Sequence, residues 1–482
     1  MAGLSDREIE EIARRIAADI AHGGATFPTT DNRQPTTGVE GGLGVFGTVS
    51  DAVRAATVAQ TQFVALKLAH RARILEAMRQ AMRENETLLA KAAHEETTYG
   101  RWEDKVVKNR LVTDRTPGLE DLTPVATTGD HGLTLVEPAP FGVIGAITPV
   151  TNPSSTIICN SIGIVAAGNT VVFNPHPSAK RVSAETVRLL GAAVVKAGGP
   201  PDAIACTADP TIQSAGALMK HPRVRLLVVT GGGAVVAAAM NSGKRAICAG
   251  PGNPPAIVDQ TADIEKAGRD VVFGHSFDNN VICTDEKEVI AVDSIADALK
   301  GAMKRAGAFE LPADDLPRLE KVIFEKGAGP RGHAVVNKKY IGKDASVILR
   351  ELGISAGPEV RTVLVEVGNE HPLIWTEQMM PVLPLTRVKN VDEAIDLAVA
   401  AEGACFHTAT MHSHDITALS RMARLCNCSI FVKNGPNLAG LGFGGEGYTS
   451  FTISSPTGEG MTSPRSFSRW RRCTLVDHFR IV

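Results

Sequence analysis

The spacing of apolar positions changes several times along this chain. Leu4, Ile9, Ile12, Ile16 and Ile20 recur at helical steps, while Arg7, Glu10, Glu11, Arg14, Arg15 and Asp19 fill the other face. This predicts an amphipathic helix, started by Ser5 with Glu8 three residues on, a capping-box arrangement. From His22 to Gly44 the chain is rich in Gly, Thr and Pro and has no period, so it reads as a linker. Helical spacing returns from Val49 to Gly100, over Ala52–Ala56, Phe63–Met82 and Leu88–Thr97. Two β-branched runs flank Gly129-Asp-His-Gly132 and predict a hairpin over Val125–Pro138.

Strands and helices then alternate. Strands are predicted at Gly142–Ile147, Thr170–Phe173, Ala203–Thr207, Arg225–Val229 and Arg245–Cys248. Between them fall helices at Ser154–Ala167, Ser178–Ala197, Thr211–Lys220 and Ala234–Ser242. Such alternation implies an α/β fold with a parallel sheet and right-handed crossovers. A second α/β unit runs from Pro255 to about Asn434, with strands Glu288–Val292, Arg361–Val367 and Thr408–His412 and the helix Asp392–Glu402.

At 482 residues, two or three domains are expected. A 44% hydrophobic content with only 4% aromatic leaves the cores to Ala, Val, Ile and Leu. The net charge of −2 gives no electrostatic reason to bind nucleic acid or an anionic membrane. No apolar run reaches the roughly 20 residues of a membrane span, and no secretory signal layout is expected at the N-terminus. Eight irregularly spaced cysteines suit a reducing cytoplasm. Cys426-Asn-Cys428 is too tightly spaced for a zinc knuckle, and His407-Thr-Ala-Thr-Met-His412 lacks a zinc-protease pattern, so no metal is expected.

Two segments carry chemistry. Phe277-Asp-Asn-Asn-Val-Ile-Cys283 is rich in turn formers and predicts a polar loop that delivers Cys283 as a nucleophile, with backbone amides to hold an oxyanion. A thiolate attacking at neutral pH needs a lowered pKa, and the sequence does not show what lowers it. Val229-Thr-Gly-Gly-Gly-Ala-Val-Val236 is a strand, a glycine turn and a helix start, where a pyrophosphate can meet backbone amides.

These segments stand in a longer series: Gly142-Val-Ile-Gly-Ala-Ile-Thr-Pro-Val-Thr-Asn-Pro153, Ala166-Ala-Gly-Asn-Thr-Val-Val172, Asn174-Pro-His-Pro177, Val229-Thr-Gly-Gly-Gly233, Cys283, Glu377 and Pro456-Thr-Gly-Glu-Gly460. From about Val45 to the C-terminus the series resembles the aldehyde dehydrogenase superfamily, and Pro-Val-Thr-Asn-Pro followed by Asn-Pro-His-Pro is similar to its CoA-acylating branch. The resemblance implies two three-layer α/β domains with parallel sheets plus a β-hairpin oligomerisation arm. It divides the chain into an N-terminal helix (1–22), a linker (23–44), a cofactor-binding domain (45–123 and 142–252), a catalytic domain (253–461) and the arm (124–141 and 462–482). Cys283 is its catalytic thiol, and Thr151 or Asn152 its side-chain oxyanion donor. NAD would contact Thr148, Pro149, Val150, Asn174, His176, Thr230, Gly231, Gly232, Val235, Ala249, Gly250, Glu377 and Met379. Thr230, Gly231 and Gly232 would take its phosphates, Val235 the adenine and Glu377 the nicotinamide ribose. Asn174 stands where the family has a lysine, which removes the usual basis for choosing NAD over NADP. His176 touches a phosphate or CoA, or else packs its loop.

Hydrolytic members keep a general-base glutamate where Ala249 stands here, so the resemblance implies coenzyme A as the acyl acceptor. The expected reaction oxidises acetaldehyde or propionaldehyde to acyl-CoA, and His275, His407 or His412 can deprotonate the CoA thiol. Hydrolytic or phosphorylating aldehyde oxidation, or a catalytically silent scaffold role, are the alternatives. A homo-oligomer is implied. The Leu4–Ile20 helix resembles encapsulation peptides, which implies a shell-protein partner for residues 1–22 and a location inside a bacterial microcompartment; docking on its own enzyme is the other reading.

Overall fold

The computed structural model describes residues 43–482, so the Leu4–Ile20 helix and most of the linker lie outside the described residues. Its centre is two parallel sheets. The first has six strands in the spatial order Val45–Phe46, Ile204–Thr207, Thr170–Asn174, Val143–Ile147, Val224–Thr230, Ala246–Ala249. The second has seven, in the order Ala308–Glu310, Thr362–Glu366, Val382–Val388, Glu288–Val292, Pro255–Val258, Thr408–His412, Ile430–Lys433. Every residue of Val143–Ile147, Thr170–Asn174, Pro255–Val258 and Glu288–Val292 is buried. Strands covered on both faces read as largely apolar runs, the signal behind the strands predicted at Gly142–Ile147, Thr170–Phe173 and Glu288–Val292, while Pro255–Val258 was not predicted as a strand.

The predicted strands and crossover helices are present, with ends displaced by a residue or two. The hairpin forms from Val125–Gly129 and Gly132–Pro140, and Ser468–Val476 pairs along its second strand to make a three-stranded antiparallel sheet. Two expectations change. The segment read as separate helices at Phe63–Met82 and Leu88–Thr97 is instead Val49–Phe63 followed by one 30-residue helix, Leu68–Thr97. Its polar middle is no break, because Glu86 turns inward to Arg110 while its neighbours face water. The helix Trp102–Arg115 was not anticipated. It has little amphipathic period, but Glu103 and Asp104 in its first turn and Arg115 in its last suit the helix dipole. Thr116 ends it in the extended conformation that a following proline imposes.

Among the described residues, no helix is long and apolar enough to cross a membrane.

Candidate active site

Strand order places the candidate residues. In the first sheet the chain runs outward in opposite directions from Val143–Ile147 and Val224–Thr230, which are neighbours. That is a topological switch point, and ligands of open parallel sheets settle at the carboxyl ends of such strands. Thr148–Asn152 and Thr230–Gly233 both emerge there. In the second sheet, Val382–Val388, Glu288–Val292, Pro255–Val258 and Thr408–His412 are consecutive neighbours. The segments entering these strands carry Glu377 and Met379, Cys283, Gly252, and His407.

Cys283 is half-buried and follows the turn Phe277–Asn280. The predicted polar loop lies inside the protein. Asp278, Asn279 and Asn280 are buried and stand in left-handed backbone at φ 47°, 55° and 67°. Asn and Asp tolerate that region better than most residues, and here every side chain is bonded inward. Asn280 Nδ2 donates to the backbone carbonyls of His275 (2.8 Å) and Glu286 (3.0 Å). Asn279 Nδ2 donates to Gly342 O at 3.0 Å and to Asp344 at 2.8 Å.

Lys287, fully buried, donates to Asn280 O (3.0 Å), Asn280 Oδ1 (2.7 Å) and Ile282 O (3.1 Å). Its three protons thus hold the turn just before the thiol. Burial pushes the Cys283 thiol up to about 12, and nearby Glu377 and Asp285 add to the rise while Lys287 opposes it. Asp285, Glu286 and Glu288 around the lysine are also buried, and burial raises each of their carboxyls.

Gly252 joins three elements of the site. A Cβ on it would stand 2.9 Å from both Cys283 O and His407 Cγ, so only glycine lets the two segments close over it. The Gly252 amide also holds down the half-buried Glu377 carboxyl, which burial raises. His407 is fully buried. Its Nδ1 meets Thr408 Oγ1 at 2.8 Å and its Nε2 has no partner among the described residues. Burial and Lys287 push it down to about 4, so it is a neutral base at pH 7. The other two histidines stand elsewhere: the His275 ring is engaged with Glu286 O at 2.6 Å behind the turn, and His412 ends its strand beside Asp259.

On the first sheet's side, Gly232 caps the helix Gly233–Met240, and a Cβ on Gly232 or Gly233 would meet nothing within 4 Å. Bare amides at an open helix start suit a pyrophosphate. Thr230 meets Thr452 hydroxyl to hydroxyl at 3.1 Å, Gly231 N donates to Ala249 O at 3.1 Å, and Val235 is half-buried. The Thr148 hydroxyl is buried without a partner among the described residues at the end of the central strand, an orphan group that a ribose or phosphate would satisfy. Pro149 and Val150 are half-buried beside it.

Asn174, by contrast, is occupied. Its Oδ1 accepts from Thr207 (3.1 Å) and Ser214 (2.5 Å), and its Nδ2 faces Thr211 O at 3.4 Å. Any ribose contact would have to displace these bonds. His176 is half-buried, and its Nδ1 accepts from Ser178 N at 3.1 Å.

Ala249 is buried at the end of its strand and presents a methyl group, with Gly250 packed toward Pro456. Met379 stands at φ 54° and accepts from Gly342 N at 2.9 Å. Cys248, the other thiol near these segments, is fully buried in its strand, and burial pushes it up to about 12.

Sequence reasoning missed Lys287, Lys105 and Lys108. Lys287 is the lone cation in Cys283-Thr-Asp-Glu-Lys-Glu288, a charged run leading into an apolar strand, and that contrast was a signal. Lys105 and Lys108 sit three apart on the unanticipated helix and both reach the Asp278 carboxylate. Asn152 accepts from Lys108 Nζ at 2.6 Å through its Oδ1 and donates to Thr151 Oγ1 at 3.1 Å.

Residues 45–460 match the aldehyde dehydrogenase family. The acetaldehyde dehydrogenase (acetylating) EutE of Salmonella typhimurium is 47% identical over 480 residues, covering 99% of this chain and 100% of its own. A Rhodopseudomonas palustris propionaldehyde dehydrogenase, solved with bound CoA and an acylated cysteine, superposes at TM-score 0.87 with 49% identity, covering 90% of this chain and 98% of its own. A propionaldehyde dehydrogenase from the fucose-utilisation microcompartment of Clostridium phytofermentans superposes at 0.88 with 44% identity, covering 91% of this chain and 100% of its own. The chain belongs to the aldehyde dehydrogenase family.

Proposed function

We propose that this chain is a CoA-acylating aldehyde dehydrogenase that oxidises acetaldehyde or propionaldehyde to the acyl-CoA with NAD. The observation that carries the reading is the buried methyl of Ala249, where a hydrolytic enzyme of this family needs a carboxylate base. A thioester formed here lacks the group that would activate water, whereas a thiol of ordinary pKa, about 8.5, ionises without a strong base. The relative that carries both CoA and an acylated cysteine supports the same reading.

Cys283, after giving its proton to solvent, attacks the aldehyde carbon as the thiolate, and the developing oxyanion takes hydrogen bonds from the Cys283 amide and the Asn152 side chain. The glycine turn at Thr230–Gly232 and the Thr148 hydroxyl would hold the cofactor, with Glu377 on its ribose, and the cofactor would supply a hydride acceptor. Loss of that hydride leaves a thioester on Cys283. His407, neutral and with Nε2 unpartnered, takes the proton of the CoA thiol, whose sulfur displaces Cys283. Of the three candidate histidines it alone packs against the glycine that touches Cys283.

Residues 45–123 and 142–252 would bind cofactor, 253–461 would supply the thiol, and 124–141 with 462–482 would form the arm of a dimer or tetramer. The exposed strands Val125–Gly129 and Ser468–Val476 suit a partner subunit. Residues 1–22 would recruit the enzyme into a microcompartment shell, in keeping with the origin of one structural relative.

The test follows NADH formation from two- to four-carbon aldehydes with CoA, with phosphate, or with neither. Sustained turnover with CoA only is expected. Equal turnover without it would make the enzyme hydrolytic, and phosphate dependence would make it phosphorylating.

A further inference from the structure

Asn152 heads the helix Pro153–Ala166 in a non-helical conformation, and its carboxamide does not cap that helix. Its Oδ1 instead rests on the ammonium of Lys108, at 2.6 Å. Lys108 is fully buried, and the same ammonium is paired to the Asp278 carboxylate, which also takes Lys105 Nζ at 2.9 Å and the Arg101 amide at 2.7 Å. Asp278 lies five residues before Cys283, on the turn that delivers it, and its own amide donates to Asp104 at 2.9 Å. One helix, Trp102–Arg115, therefore supplies Asp104, Lys105 and Lys108 to a cluster that touches both the turn before the nucleophile and the side chain of Asn152.

Burying two ammonium groups on one carboxylate is costly, and packing alone would be met more cheaply by apolar side chains. Gly100 is shaped to the arrangement: at φ +68° it lies so close that a Cβ would fall 1.9 Å from Asp278 Oδ1. A cation on an amide oxygen also draws electrons from its nitrogen and makes the N–H groups stronger donors, since hydrogen bonds in series reinforce one another. With Oδ1 held by Lys108 and one N–H on Thr151 Oγ1, the other N–H of Asn152 is left to bind an oxyanion.

We propose that Lys108 is a positioning residue for the aldehyde oxidation: it fixes and polarises the Asn152 carboxamide, and through Asp278 it holds that donor in register with Cys283. This rests on the reading of Asn152 as the oxyanion donor. Lys108 touches neither substrate nor cofactor in this scheme.

The test is a double-mutant cycle on the full-length enzyme, with CoA-dependent turnover, aldehyde and CoA KM, and the iodoacetamide alkylation rate of Cys283 measured for each protein. Asn152→Ala alone lowers kcat by about 100-fold, the loss of one oxyanion donor. Lys108→Met lowers kcat by about 30-fold with KM values little changed, because it weakens a donor used only in the transition state. In the Asn152→Ala background the same Lys108→Met change costs less than about twofold, and the alkylation rate stays within about twofold throughout. A purely structural lysine would cost the same in both backgrounds and would move alkylation, and that result overturns the proposal. Should Asn152→Ala lower kcat as expected while the losses multiply, Lys108 alone is misassigned. Should Asn152→Ala leave kcat intact, the oxyanion assignment itself fails and takes Lys108 with it. If Lys108→Met does not fold, Lys108→Arg keeps the charge on Asp278 while displacing the Asn152 contact, and the cycle is run with it under the same criteria.

Discussion

The ammonium of Lys287 is bound by Asn280 twice, through the backbone oxygen at 3.0 Å and the side-chain oxygen at 2.7 Å. With its third proton on Ile282 O, the lysine uses all its donors on the end of the left-handed turn and the link from it to Cys283. Three positive-φ residues in a row are strained, and this buried cation adds its bonds to those of the Asn279 and Asn280 side chains in opposing that strain. Lys287→Met leaves these oxygens unsatisfied in the interior. It should destabilise the protein by about 2–4 kcal/mol in denaturant unfolding and slow alkylation of Cys283, since Lys287 favours the thiolate. A variant of unchanged stability would show that the turn stands without the clamp.

Replacing Cys283 by Ala should abolish aldehyde oxidation and leave NAD binding intact, measured by titration calorimetry. Appreciable residual activity would transfer the role to another thiol. Cys248, deep in its strand, is a poor substitute on geometry.

Without CoA, the enzyme should release about one equivalent of NADH per active site and then slow sharply, because the thioester is cleared poorly by water. Placing Glu at Ala249 should raise the slow phase. His407→Ala should keep the burst and slow the CoA-dependent phase by about 10²-fold or more, the size of a lost general base. Steady turnover of the unmodified enzyme without CoA would contradict the whole scheme.

Alkylation of the cofactor-free protein should accelerate by about tenfold per pH unit from pH 7 to 10 without levelling, because only the thiolate reacts and burial holds the thiol up to about 12. A plateau near 8.5 would mark an ordinary cysteine. The buried histidines make stability depend on pH as well. His407 and His412 are pushed down to about 4 and His275 to about 3, from 6.5. Below pH 6.5 the unfolded chain gains protons that the folded one refuses, so stability falls as pH drops toward 4. Glu286, raised from 4.5 to about 8, works the other way: its contribution is lost as pH rises across that window. His412→Asn should therefore flatten the decline of Tm between pH 6.5 and 5, and an unchanged slope would count against a neutral buried His412.

Deleting residues 1–22 should leave CoA-dependent activity and oligomer state intact and improve solubility. Fusing them to a fluorescent protein should send it into microcompartments, and Ile12→Asp with Ile16→Asp should leave the fusion diffuse. A short helix is marginal alone in water and needs an apolar groove. Dissociation or inactivation on deletion would place that groove on the enzyme itself.

By itself the sequence determined the parallel-sheet framework, because strands buried on both faces must be apolar throughout and crossover helices keep their period. Val143–Ile147, apolar or glycine throughout and buried at every position, is such a strand. It also marked Cys283, the glycine turn after Thr230 and the missing carboxylate at Ala249, since these depend on residue type at a fixed place in a motif series. Only the tertiary structure decided which histidine packs on the glycine beside Cys283: His275, His407 and His412 look alike in one dimension, and strand order brings His407 to Gly252. The same holds for Lys108 and Asp278, which are 170 positions apart and meet at a buried ion pair. Polar residues whose partners are distant carry no local pattern. Their burial becomes affordable only when the fold supplies the opposite charge, and that is settled in three dimensions.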